Sequence, residues 1–234
     1  MRQNILFDLD GTLLPMNLKQ FIDLYLESFC NRFVPVINLD AQTLVQGIWD
    51  GAAAMAKNDG ECLNYDVFWR TLNRVCNKDM RQYEEQFDDF YRNEFIAAKQ
   101  ATSVNPYVKK SVDCLKAHGH KLIVATNPIF PKSATYTRLK WAGLDPNDFD
   151  LITVYDNCSR CKPNLNYYEN ICSICGISPD ESIMVGNDLD EDMCAAKLGL
   201  DTYLVTDCMI NRHGKDISKY KHGSFKDFYA YITA

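Results

Sequence analysis

The chain has 234 residues, 47% of them apolar, 12% aromatic and 24% charged, with a formal net charge of −6. That length allows one large core, or a core with a smaller insertion. The acidic balance argues against nucleic-acid or anionic-membrane partners, which need a positive field. No apolar run approaches the ~20 residues of a membrane span, and MRQNILFDLDG lacks the form of a signal peptide. A cytoplasmic location is expected, with the ten cysteines mostly reduced and acting as small apolar residues.

In chain order, residues 3–7 (QNILF) read as a short buried strand. Residues 17–100 then read as helical throughout. Asn17 caps a helix with Leu18, Phe21, Ile22, Tyr25, Leu26 and Phe29 on one stripe. Further helical runs are expected at about 40–57, 65–76 and 79–99, with breaks near Pro35, at Asn58-Asp59-Gly60 and around Asn77. From Asn105 the rhythm changes to helix 106–118, strand 121–126 (KLIVAT), helix 131–142, strand 151–155 (LITVY), helix 163–175, strand 182–186 (SIMVG), helix 190–198, strand 202–205 and helix 225–232. Gly119, Gly143, Gly176 and Gly199 follow four of these helices, as C-terminal cap residues do.

Short apolar strands alternating with amphipathic helices predict an α/β protein with a doubly wound, Rossmann-like parallel sheet. The first strand cannot bury itself alone, so it joins that sheet. The helical stretch is then an all-helical insertion. The expected division is a core of residues 1–15 and 102–234 and a helical cap of residues 16–101, hinged at Leu14–Asn17 and Ala101–Asn105.

Ligands of open parallel sheets bind beyond the carboxyl ends of the strands. Those ends carry Asp8, Asp10, Thr126, Asn127, Lys162, Asp188 and Asp192. Singly, each has a plain reading as a turn, cap or solvated residue. Together, the carboxylates would repel one another unless a cation sat among them. Oxygen ligands without His or Cys suit Mg²⁺. Asp190 and Glu191 read as a solvated helix start.

FDLDGTL (7–13), VATN (124–127), KP (162–163) and VGND-x-x-x-D (185–192) resemble, in order, the four motifs of the haloacid dehalogenase-like hydrolase superfamily. The insertion between the first two resembles that family's helical cap. The resemblance implies a phosphatase acting on a small phosphorylated metabolite. Asp8 would be the nucleophile that forms an aspartyl-phosphate, and Asp10 the general acid and base. Thr126 and the backbone near Asn127 would bind the phosphoryl oxygens, and Lys162 would offset charge on Asp8 and the phosphate. Asp8, the Asp10 carbonyl and Asp188 would hold Mg²⁺, with Asp192 bound to the metal site or orienting Lys162. The family's dehalogenases lack an acid at the position of Asp10, which disfavours carbon–halogen cleavage here. The alternatives are a phosphomutase of the β-phosphoglucomutase type and a non-catalytic binding or zinc-stabilised protein on the same fold.

The zinc alternative rests on two C-x-x-C pairs, Cys158/Cys161 and Cys172/Cys175. Cys172 and Cys175 fall on the apolar stripe of the 163–175 helix with Leu165, Tyr168 and Ile171. Cys175 would then lie some ~15 Å from Cys161 at the helical rise. Tetrahedral zinc needs all four sulfurs within ~2.3 Å of one ion. The pairs therefore read as packing residues around a functional Lys162, with a redox role for Cys158/Cys161 a lesser alternative.

Overall fold

The structure, a computed structural model, describes residues 2–234. Six parallel strands form one sheet: β1 (Asn4–Phe7), β2 (Lys121–Val124), β3 (Leu151–Ile152), β4 (Ser182–Gly186), β5 (Asp201–Val205) and β6 (Lys221–Gly223). Their order across the sheet is β3-β2-β1-β4-β5-β6. The chain moves outward from β1 in one direction and then, from β4, in the other. Such a reversal opens a crevice at the strands' carboxyl ends.

Alternation along the central strands explains the two covered faces. Ile5, Phe7, Leu122, Val124, Ile183 and Val185 pack on one side, with Val108 and Val112 of α5 (Pro106–Ala117) and Phe225 and Phe228 of α8 (Phe225–Thr233). Leu6, Ile123 and Met184 face the other side, against Tyr167, Tyr168 and Ile171 of α7 (Leu165–Cys175). Successive strand side chains point to opposite faces, so a strand buried on both must be apolar throughout.

β6 escapes a sequence reading for the same reason. Its residues Lys221, His222 and Gly223 are edge positions with no apolar pattern, and they pair in register with Tyr203, Leu204 and Val205 of β5. Three further expectations shift. The 151–155 strand pairs only over Leu151–Ile152. The 163–175 helix starts later, because Asn164 caps it and Pro163 lies in the turn before. The 190–198 helix is a 3-10 turn over Met193–Leu198.

Between β1 and α5 lie α1 (Leu18–Ile37), α2 (Ala41–Ala56), α3 (Asn64–Cys76), α4 (Glu84–Arg92) and a 3-10 helix over Glu94–Ala101. Pro35 sits inside the last turn of α1 rather than ending it; Asn38 does so with a left-handed φ of 57°. The expected 79–99 helix is broken at Asn93, whose side-chain amide donates to the Asp89 carbonyl at 3.0 Å and to its carboxylate at 2.9 Å. That local bond competes with helix continuation. Phe29, Phe33, Phe87 and Phe90 close the centre of this bundle, with ring centroids as near as 4.5 Å. Aromatic burial on this scale contributes about 2 kcal/mol per ring.

The two crossings into and out of the bundle lie side by side. Met16 bridges Thr102, the Asn17 amide donates to the Ala101 carbonyl at 2.9 Å, and the Ser103 amide donates to the Pro15 carbonyl at 2.9 Å. The expected hinge segments are thus bonded to each other.

No helix among the described residues is long and apolar enough to cross a membrane.

Candidate active site

The loop after β1 is a tight turn. The Asp8 amide donates to the Val185 carbonyl at 2.9 Å, extending the sheet by one residue. The Leu14 amide then folds back to the Leu9 carbonyl at 2.8 Å. Gly11 makes the turn possible: its φ is 89°, and a Cβ there would lie 2.3 Å from Asn187 Nδ2. Asp8 and Asp10 are thereby held on one short loop at the crevice.

Asp8 is buried and met by two groups. Lys162 Nζ donates to its Oδ1 at 2.8 Å. The Thr12 hydroxyl lies 3.1 Å from its Oδ2 and 3.0 Å from Asn187 Oδ1, sharing one proton between them. Lys162 reaches Asp192 Oδ1 as well, at 2.7 Å. Burial works against the lysine's charge, but Asp192 and Asp8 outweigh it and hold its pKa well above the usual range.

Asp192 is 1% exposed, and both its oxygens are engaged: Oδ1 by Lys162 and Oδ2 by the Asp188 amide at 2.9 Å. Burial pushes its carboxyl upward, opposed by Lys162. Each Asp192 oxygen accepts one hydrogen bond here, one of them from Lys162, the residue it was expected either to orient or to join at a metal site. The carboxylate lies directly over Gly186, where a Cβ would fall 2.2 Å from Asp192 Oδ2. Gly186→Ala should therefore destabilise the fold by ~2 kcal/mol, the scale of core overpacking, and should displace Lys162. Urea unfolding checks the first effect. A variant as stable as the parent would show that Asp192 has room to move.

Asp188 is set by its own local chain. Its Oδ1 accepts the amides of Asp190 (2.8 Å) and Glu191 (3.0 Å), and its Oδ2 accepts Arg212 Nη1 at 2.5 Å. Arg212 is a half-exposed arm, with 49% of its side chain open. Glu191 departs from the expected solvated helix start. It is half-buried, burial pushes its carboxyl up, and its Oε2 accepts Asn127 Nδ2 at 3.2 Å. Asp190 instead pairs outward with Lys215 and His213.

Thr126 is fixed through its main chain. Its carbonyl accepts the Thr153 and Tyr167 hydroxyls, both at 2.8 Å. Asn127 Oδ1 is shielded from solvent and has no partner among the described residues.

Asp10 has a partner that the motifs do not announce. Arg138 of α6 (Lys132–Trp141) is fully buried and ion-paired to Asp10 Oδ2. Its guanidinium lies over the Phe130 ring, 4.3 Å from the centroid, and donates to Thr135 Oγ1 at 3.3 Å. The signal was present: Arg138 shares a helix face with Ala134 and Trp141, four and three residues away, both buried. A basic residue on an apolar stripe needs a buried acid. Asp10 Oδ1 has no partner among the described residues and is shielded from water. The 27% of its side chain that is open borders an apolar cavity. Burial therefore pushes the Asp10 carboxyl up, against the pull of Arg138.

The cysteine pairs frame this site without joining it. Burial pushes Cys158 and Cys161 up to about 12, which keeps both as thiols at neutral pH. Cys161 Sγ accepts from Asn64 Nδ2 at 3.3 Å, and Cys172 is buried on α7. Among the described residues, no three His, Cys, Asp or Glu side chains converge as a ready-made ion cage.

The chain is similar to known proteins in sequence and in fold. Residues 3–199 match the family profile of haloacid dehalogenase-like hydrolases. The pyrophosphatase PpaX of Halalkalibacterium halodurans is 28% identical over 206 residues, covering 86% of this chain and 82% of the relative. A HAD phosphatase from Thermococcus onnurineus superposes with a TM-score of 0.60 at 20% identity, covering 98% of this chain and 97% of that one. The HAD-hydrolase YfnB of Bacillus subtilis, in a magnesium-bound crystal, gives 0.59 at 18% identity, covering 100% and 99%. With a profile match that takes in every strand end from Asp8 to Asp192, the chain belongs to the haloacid dehalogenase-like hydrolases.

Proposed function

We propose that the protein is a Mg²⁺-dependent phosphatase that hydrolyses a small phosphomonoester through an aspartyl-phosphate on Asp8. One observation carries this reading: a second carboxyl, Asp10, stands two residues from Asp8 with a shielded, unpartnered oxygen and a pKa raised by burial. A raised acid is what protonation of a leaving oxygen requires. Carbon–halogen cleavage releases halide and needs no such proton.

Lys162 holds Asp8 Oδ1, and Oδ2 meets phosphorus once the Thr12 hydroxyl gives its proton to Asn187 Oδ1 instead. As the Asp8–phosphorus bond forms and the ester bond breaks, Asp10 gives its proton to the departing oxygen. Asp10, now ionised, takes a proton from water. The water oxygen attacks phosphorus, releases phosphate and restores Asp8. Lys162 offsets charge that accumulates on Asp8 and the phosphoryl oxygens, and Asp192 keeps it aimed. The Thr126 hydroxyl and nearby amides bind phosphoryl oxygens.

The donor set fits Mg²⁺. Asp8 and Asp188 supply hard carboxylate oxygens and Asp10 its main-chain carbonyl. Two carboxylates with water completing the shell is the usual provision for this ion. Arg212 would have to release Asp188 Oδ2, and its exposure leaves it free to swing out. When bound, the ion would supply positive charge that offsets the repulsion of the attacking carboxylate and the phosphate.

Metal-stripped protein given phenyl phosphate should release phosphate only after Mg²⁺ is restored, and should release no chloride from 2-chloropropionate. Chloride release without phosphate release would overturn the reading.

A further inference from the structure

The leaving oxygen must depart on the Asp10 side, because Asp10 protonates it. Asp10 opens onto a cavity of about 170 Å³ between the sheet edge and helices α1 to α4. Its walls are largely apolar, with the rings of Phe21, Tyr25, Phe68, Phe87, Tyr91 and Phe130 among them. A dry apolar cavity of about 150 Å³ holds benzene, so this one accepts a single ring or a six-carbon body.

Beyond Asp10, the charges on the cavity wall have one sign. Glu84 and Asp88 line it, and no Lys or Arg does so among the described residues. Arg138 lies behind Asp10 and is committed to it. Glu84 is partly offset by the Tyr65 hydroxyl at 2.7 Å and by Arg81 at 3.8 Å. Asp88 has the Ser133 hydroxyl at 2.6 Å and no basic partner within ion-pair distance among the described residues. A second negative group on the substrate would face these carboxylates across a low-dielectric space, where like charges are strongly disfavoured.

Resting on the phosphatase reading, we infer that the natural substrate is the phosphomonoester of a ring-sized, largely apolar alcohol that carries no negative charge. The inference sets this protein apart from enzymes that cleave pyrophosphate or small carboxylated phosphate esters. Their leaving groups are anions that this wall repels.

The experiment compares kcat/KM of the Mg²⁺-loaded protein for phenyl phosphate, methyl phosphate, phosphoglycolate and pyrophosphate. Phenyl phosphate should lead both anionic-leaving-group substrates by roughly 100-fold, the range open to a shaped apolar pocket with a repulsive element. Ala52→Leu, which narrows the cavity, should lower the ratio of phenyl to methyl phosphate turnover by about tenfold. Asp88→Asn should raise the use of phosphoglycolate relative to phenyl phosphate by about tenfold. Equal or reversed preference in the parent protein overturns the inference and leaves the phosphatase reading standing. If none of the four substrates releases phosphate, both fall. If Ala52→Leu does not fold, the Asp88→Asn ratio decides: an unchanged ratio overturns the role of the acidic wall.

Discussion

Asp8→Asn should lower kcat by at least about 10⁴-fold, the scale seen when a covalent nucleophile is removed, without lowering thermal stability. The two halves of this result come from one cluster. Asp8, Asp192 and Lys162 bury two negative charges against one positive charge. Converting Asp8 to a neutral amide of the same shape removes the unbalanced charge. Lys162 keeps its 2.7 Å bond to Asp192 and is not orphaned. A buried charge without full compensation is costly, so its loss costs the fold little. Steady-state assay with an aryl phosphate, together with a thermal melt, separates these effects. Residual activity within tenfold of the parent would remove Asp8 from the chemistry. A large fall in melting temperature would mean that Asp8 is chiefly structural.

The second large effect is at Arg138. Arg138→Met keeps approximate volume and removes the guanidinium. It breaks a fully buried ion pair and the stacking over Phe130. Losing one partner of such a pair costs roughly 3 kcal/mol near neutral pH. The pH dependence has a definite sign. Arg138 pulls the Asp10 pKa down against burial. Without it, the folded protein holds the Asp10 proton to higher pH, while the unfolded chain releases it at the ordinary carboxylate value. Between those two values the folded state binds more protons, so the variant loses stability as pH rises and recovers it as pH falls. For catalysis, the protonated acid persists further into alkaline solution. The alkaline limb of kcat/KM should move to higher pH. A merely structural arginine would alter stability and leave that limb in place.

Much of the arrangement was readable from residue order. The strand ends at Asp8, Thr126 and Asp188 follow from short apolar runs, each of which had to be buried in one sheet. The parts that were not readable depend on contacts between elements distant in sequence. Arg138 meets Asp10 across 128 positions, and no local pattern names its partner. Glu191 is placed by Asn127, 64 residues away. Its neighbour Asp190 points the other way, so dipole arguments about a helix start could not separate the two. β6 is invisible because an edge strand that pairs through backbone needs no particular side chains. Pro35 misled because α1 carries it inside the last turn, giving up the one bond its amide would make to the Asn31 carbonyl, and ends only at Asn38.

The place of β1 in the sheet also bears on how the protein folds. β1 is central, yet its two partners lie far along the chain: Asn4 pairs with Lys121 on one side and with Ser182 on the other. Until the second of these is available, a strand that is apolar from Ile5 to Phe7 has an open edge. Pairings at such sequence separation are slow to form and leave sticky intermediates. The helical segment between β1 and β2 has its own aromatic centre and can gain structure from nearby contacts first. The carboxylates that follow β1 can meet Lys162 and Asp188 only when the sheet closes from both sides. Recovery of activity during refolding should therefore lag behind recovery of helix signal.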